Sequence, residues 1–200
     1  TGNYAVHSIG KAIDIASDRD QIRHDLISIP GLMHTQLTQD LINVCEDRAD
    51  SLAIIDLDDS YLEKYENNGA QDTTNGTALQ AVSNAKAREY DTSYAATYHP
   101  RVKLNVGAPT NTVITVPPSV AAIAAIGQSD SLSDPWFAPA GFNRGGLEAL
   151  GFTGVHKILS KAQRDDLYQL NINPIARFGA IGRTVIFGQK TLQRTASALD

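Results

Sequence analysis

Apolar residues recur at two spacings along this chain, and the alternation between those spacings predicts its elements. Leu37, Leu41, Ile42, Val44 and Cys45 fall at helical intervals within residues 33–49. That is the mark of an amphipathic helix with one buried stripe, and Thr35 stands where an N-cap is expected. Before it, residues 24–29 alternate polar and apolar up to Pro30-Gly31, a strand followed by a turn. After it, residues 52–57 form a short apolar run, the pattern of a strand covered on both faces. Residues 24–57 therefore read as strand–helix–strand, a βαβ unit with a parallel pair.

The same reading extends along the chain. Residues 11–16 and 78–89 suit helices, residues 94–106 a strand interrupted near Pro100, and residues 111–116 a strand ending at Pro117-Pro118. An Ala-rich helix starts at Ser119, with Pro118 as its start signal and Gly127 as its stop. Residues 155–159 form a short strand. Ser160 and Gln163 have capping-box spacing and open a helix running to about Leu170. Residues 172–175 make a turn, and residues 175–178 and 184–187 form a terminal hairpin around Gly179 and Gly182. The fold class is α/β (α+β): packed helices on a mixed sheet, a two-layer sandwich ending in a short hairpin. Residues 67–77 are polar and rich in breakers, which predicts a flexible surface loop. Within them Asn75-Gly76-Thr77 has the form of a glycosylation acceptor, with nothing indicating secretion.

One segment fits neither spacing. Residues 134–147 hold the only Trp, two Pro, two Phe and three Gly. Pro removes a backbone donor and Gly weakens helix and strand alike, so regular structure is excluded. The segment is nonetheless too apolar for an idle loop. Trp136 and Phe137 are its candidate anchors on the domain, with Arg144 as an internal packing partner or a contact to a neighbouring molecule. A buried Trp136 ring predicts a loss of about 3–5 kcal/mol on truncation to Ala.

Composition narrows the function classes. Two hundred residues, 42% hydrophobic and 20% charged, suit one soluble globular domain with a sizeable core. Cys45 is alone, which excludes a disulfide framework and predicts a small buried hydrophobe. No apolar run reaches the roughly 18–20 residues of a membrane-spanning helix. The start at Thr1 and the abrupt end at Asp200 suggest a fragment of a larger protein. Charge divides unevenly: residues 1–100 carry a net −9 and residues 101–200 a net +4. Either these are solvated faces, or an acidic and a basic face meet between copies. The basic residues are scattered, without the cluster that nucleic-acid binding needs.

Chemistry is sparse. The run from Ile54 to Ser60, with Asp56, Asp58 and Asp59, resembles the first motif of haloacid dehalogenase-type phosphatases, where two aspartates at a strand end hold magnesium and act in phosphoryl transfer. The further acidic pair of such a site has no counterpart, since Asp165-Asp166 sits inside a capped helix. The plainer alternative is a strand end with solvated carboxylates. His7, His24, His34, His99 and His156 form no zinc-binding pair. There is no GxSxG elbow and no P-loop. Gly179 to Arg183 is followed by no helix, so it is no dinucleotide fingerprint. No catalytic, cofactor-binding or metal-ligating residue is assigned.

The ordered set of motifs in the second half resembles the tail sheath proteins of contractile-tailed bacteriophages. It comprises Val116-Pro117-Pro118-Ser119 with the Ala-rich helix, Trp136 to Gly141, Asn143-Arg144-Gly145, and Leu159-Ser160 with Gln163 to Tyr168. Ile172 to Ile175 and Gly188 to Thr191 complete it. Less sharply, Ile29-Pro30-Gly31, the Ile54-Ile55-Asp56 strand and Tyr98-His99-Pro100 extend the likeness to about residues 20–195. The resemblance implies a non-enzymatic structural subunit of the virion. Such subunits assemble in the host cytoplasm around a tail tube, with baseplate and tail terminator proteins and other sheath copies as partners. They contract to drive the tube through the host envelope. It implies no role in catalysis for Asp56, no cofactor, and no direct nucleic-acid or membrane contact. Residues 1–200 would be a single fragment of the sheath core, without the chain-exchange arms and the C-terminal inner region. In isolation it is then expected to be monomeric or weakly associated. The sheath of a phage-derived secretion or bacteriocin machine is the alternative within the same fold.

Overall fold

The computed structural model describes residues 4–62, 66, 68–69, 75–134 and 136–195. Residues 67 and 70–74 of the expected surface loop, and Pro135, lie outside the described residues. In chain order the elements are α1 (Tyr4–Ala16), β1 (Leu26–Ser28), α2 (Thr35–Arg48), β2 (Leu52–Ile55), α3 (Ala78–Arg88), β3 (Ala95–His99), β4 (Val102–Asn105), β5 (Val113–Val116), α4 (Pro118–Leu132), α5 (Gly141–Arg144), β6 (Phe152–Val155), α6 (Lys161–Gln169), β7 (Ile172–Phe178) and β8 (Arg183–Ile186). A 3-10 turn at Glu148–Leu150 precedes β6.

The strands form a five-stranded sheet in the order β1-β2-β3-β7-β8 and a three-stranded antiparallel sheet in the order β5-β4-β6. In the larger sheet β1, β2, β3 and β7 run parallel, and β8 closes the edge antiparallel to β7. The architecture is α+β with mixed sheets. Successive side chains of β2 point to opposite faces: Ala53 and Ile55 join a core with α1, α2, α3 and α6, while Ile54 joins a second core with α4 and the small sheet. Both faces of the larger sheet are therefore covered, where two layers were expected from the sequence.

Local sequence explains the helices. Leu37, Leu41, Ile42 and Cys45 are the buried stripe of α2, so the periodicity identified the correct face. His34, rather than Thr35, occupies the N-cap and makes no side-chain cap; Thr35 is already in the first turn. Ser160 and Gln163 form the reciprocal capping box of α6. In α4, Pro118 sits in the first turn, where a missing N–H costs nothing. The helix runs through Gly127 to Leu132, because tertiary packing outweighs one unfavourable residue of about 1 kcal/mol. Ala121, Ala122 and Ala125 are fully buried, letting α4 approach β2 and β3 closely.

Three sequence expectations shift in the structure. Residues 94–106 are two strands in two sheets, separated at the cis His99–Pro100 bond. The strand expected at 155–159 lies instead at Phe152–Val155, where Phe152 and Val155 pair with Leu104 and Val102. The turn expected at 172–175 is the start of β7. Pro174 is tolerated there because the β3 pairing ends at it and the β8 pairing begins at Ile175.

Candidate functional site

Within residues 134–147, the segment singled out by composition, the chain makes one helical turn, α5, and then docks on β8. The Gly145 carbonyl accepts from Ile186 N–H at 2.8 Å, and Leu147 N–H donates to Thr184 at 3.0 Å. Gly146 bridges Val185, and the Glu148 carboxylate accepts from the Thr184 N–H. Gly145 is required by this approach, since a Cβ there would lie 2.8 Å from the Ile186 carbonyl. Leu147, fully buried, is the anchor.

Trp136, the expected anchor, is 77% exposed. The ring lies near Phe137, with centroids 6.3 Å apart, and the Arg144 guanidinium stacks 3.8 Å above the Phe137 ring. The three residues named from sequence thus come together as one surface stack, outside the cores. Arg144 also lines an open groove of about 540 Å³ together with Leu132, Glu148 and Arg183. Beside it, Phe142, Phe178 and Phe187 form an aromatic cluster with centroids 4.9–6.1 Å apart. Arg164 faces Phe178 at 5.4 Å.

The acidic strand end is the opposite case. Asp56 is 2% exposed, and its carboxylate is not solvated as the sequence suggested. One oxygen accepts from Gly31 N–H at 2.8 Å and Ser119 Oγ at 2.7 Å, and the other from Ser119 N–H at 3.1 Å. The side chain fastens the turn after β1 and the first turn of α4 to the end of β2. Burial raises its pKa, against the hydrogen bonds from Gly31 and Ser119. Three donors from the fold hold the buried Asp56 carboxylate, which serves as a structural acceptor. Asp58, the second carboxylate of the phosphatase-like motif, is exposed and accepts from Ser60 N–H, whereas Asp56 is buried. Among the described residues no group of three or more His, Cys, Asp or Glu could hold a metal ion.

Sequence reading missed two buried polar centres. In the first, Asp59 lies 3.5 Å from Arg101 Nε and 3.9 Å from His99 Nδ1, all three buried. Arg101 faces the Tyr61 ring at 4.5 Å, and Tyr61 meets His156 edge-on at 4.7 Å. Burial, then the charges of Arg101 and His156, push the His99 pKa down to about 3. Burial raises that of Asp59, with Arg101 pulling against it. Gly76, at φ +76°, donates to the Asp59 carbonyl, and a Cβ on it would sit 3.0 Å from the His156 ring. Thr77 then caps α3 with Gln80. In the second centre, fully buried Asn173 donates to the Thr97 and Lys190 carbonyls and accepts from Lys190 N–H at 2.7 Å. A lone Asn between apolar residues before Pro174 was the available signal.

No family model matches the chain. A stretch of 72 residues, 36% of the chain, is 44% identical to the tail sheath protein of Vibrio phage KVP40. One of 73 residues is 38% identical to the tail sheath protein of Enterobacteria phage T4. These matches span about a tenth of each relative, 10% and 11%. Among solved structures, the anti-feeding prophage baseplate contains a chain similar over 97% of this one and 44% of its own length, with a TM-score of 0.62 and 15% identity. The contracted sheath complex of the extracellular contractile injection system PVC is similar over 88% of this chain and 42% of its own, with a TM-score of 0.61 and 21% identity. The sequence resemblance to phage tail sheath proteins is real, and the fold is that of chains in contractile injection systems.

Proposed function

We propose that this chain is part of the subunit of a contractile tail sheath, which polymerises around a tail tube and contracts to drive the tube through the host envelope. The observation that carries the reading is the 44% identity over 72 residues to a phage tail sheath protein. The fold likeness to injection-system chains over nearly the whole length supports it. The geometry agrees with a structural role: the buried polar groups fasten elements together, and the exposed groups form surfaces rather than a reaction centre. The partners of this reading are other sheath copies, the tube, the baseplate and the tail terminator. The place is the virion tail, after assembly in the host cytoplasm. A sheath of a phage-derived injection system shares the fold, but the sequence matches above go to phage proteins. The test is electron microscopy of the purified full-length protein. Long tubes of regular striation are expected, and dispersed particles at all concentrations and salts would reject the reading.

A further inference from the structure

Asparagine is followed by glycine at Asn68-Gly69 and again at Asn75-Gly76. Asparagine is a thermally labile residue, and a glycine after it exposes the amide to attack from the backbone. The glycine nitrogen has no side chain beside it and can reach the asparagine Cγ. A new N–C bond then closes a cyclic imide, the Cγ–Nδ2 bond breaks, and ammonia leaves. Water opens the ring at either carbonyl, giving aspartate or isoaspartate. Nothing is oxidised or reduced, and water is the only co-reactant. The requirement is geometric: the peptide must turn until the glycine nitrogen points at its neighbour's side chain, giving up any hydrogen bond it makes.

The fold treats the two pairs differently. At Asn75-Gly76 the reacting groups are held. Gly76 N–H donates to the Asp59 carbonyl at 2.8 Å. Gly76 is buried, and the position of a Cβ on it lies 3.0 Å from the His156 ring and 3.4 Å from the Asp59 carboxylate, so the peptide cannot turn without disturbing that centre. The Asn75 side-chain oxygen accepts from Gln80 Nε2 at 3.1 Å. Gln80 is itself fixed by the α3 capping box, where its Oε1 takes the Thr77 N–H at 2.9 Å. Attack on Asn75 therefore requires the start of α3 to come away from Asp59 first. At Asn68-Gly69 both residues are exposed. No heavy atom lies within 4 Å of the position a Cβ would take on Gly69, so this peptide turns into open space.

We infer that Asn68 is a site of spontaneous deamidation in the folded protein, and that the Gly76–Asp59 bond and the α3 capping box protect Asn75 from the same reaction. The product places a new carboxylate close in sequence to exposed Glu66. Where the ring opens to isoaspartate, the main chain also runs through the former side chain and gains a methylene. The inference concerns the chemistry of this chain alone and stands independently of the sheath reading.

The test is incubation at mildly alkaline pH, where the glycine nitrogen loses its proton more readily, followed by peptide mapping in a mass spectrometer. The protein is followed both folded and unfolded in urea. In urea the two pairs are expected to lose their amides at similar rates. In the folded protein Asn68 should react at close to its rate in urea, and Asn75 at least about tenfold more slowly, because its reaction draws on a local opening. Gln80→Ala removes the donor to Asn75 and the acceptor for Thr77 N–H. It should raise the Asn75 rate and leave the Asn68 rate as it was, with a melting curve to confirm that the variant is folded. Should the variant unfold, the two rates in the unmodified protein still decide. Equal rates at the two pairs in the folded protein would overturn the protection of Asn75. An Asn68 amide that survives in the folded protein while the urea-unfolded chain loses it would overturn the site. An unaltered Asn75 rate in folded Gln80→Ala would remove the capping box from the explanation.

Discussion

The strand end around Asp56 and the segment around Trp136 exchange the roles that composition gives them. Asp56 belongs to a run of acidic residues that reads as solvent-facing, yet it is buried with three donors on its carboxylate. Trp136 belongs to the most aromatic stretch of the chain, yet it is largely exposed while the two glycines and Leu147 after it make the fold contacts. The difference lies in backbone supply. Gly31 and the first turn of α4 present N–H groups that have no partner of their own, as every helix start does. A carboxylate within reach is worth burying there. The Trp136 ring meets no such demand, and the docking on β8 is a backbone affair that needs the absence of a side chain.

Removing the carboxylate tests the first half of that contrast and has the largest expected effect. Asp56→Ala leaves the buried Ser119 N–H, the part-buried Gly31 N–H and the Ser119 hydroxyl without an acceptor, and should cost about 3–5 kcal/mol in urea unfolding. Ser119→Ala, which removes one donor and keeps the rest, should cost about 1 kcal/mol. Equal losses from the two would mean that Asp56 acts through something other than these bonds.

The neighbouring buried centre predicts a dependence on acid. The folded-state pKa of His99 lies at about 3, below its usual 6.5. The unfolded chain therefore takes up a proton first as the pH falls. The stability linked to neutral His99 is fully present above about pH 6.5 and is lost progressively toward pH 3, on the order of 5 kcal/mol in total. Asp56 and Asp59 act with the opposite sign. Their raised pKa values mean that the folded state binds protons before the unfolded chain does, so they recover part of the loss as acid increases. Melting temperatures measured between pH 7 and pH 4 should fall, and His99→Gln should flatten that slope. An unaltered slope in the variant would assign the acid sensitivity elsewhere.

How much of this was legible follows the range of the interactions. The stripe of α2, the box at Ser160 and the Pro118 start are set by residues within one or two turns, and the sequence displays them. The division of residues 94–106 between two sheets depends on strands 50 or more residues away, such as the pairing of Val102 with Val155. The burial of Asp56 depends on Ser119, 63 residues on. The ordered motifs of the second half did carry long-range information that single patterns lacked. Asn173 and Lys190 belong to two different motifs of that set, and in the fold they bond to each other.

Inside the Trp136 segment, a glycine should matter more than the tryptophan, and that is the finer test of the contrast. Gly145→Ala puts a Cβ 2.8 Å from the Ile186 carbonyl and 2.9 Å from Ala140, both backbone atoms that cannot swing away. The expected cost is about 1–3 kcal/mol, from local displacement of the segment off β8. Hydrogen exchange at Leu147 and Ile186 amides would report it directly, since those N–H groups make the docking bonds.

Trp136→Ala is the smallest effect on the fold. A side chain 77% exposed has little buried area to lose, so the melting curve should move by no more than about 0.5 kcal/mol equivalent. That replaces the loss of several kcal/mol expected for a buried ring. The same substitution in the full-length protein should still weaken assembly, because large exposed aromatics beside arginines are the residues on which protein contacts concentrate their energy. Loss of assembly with an unchanged fold would place Trp136 in a subunit contact. A destabilised fold would return it to the domain interior, and the exchange of roles with Asp56 would no longer hold.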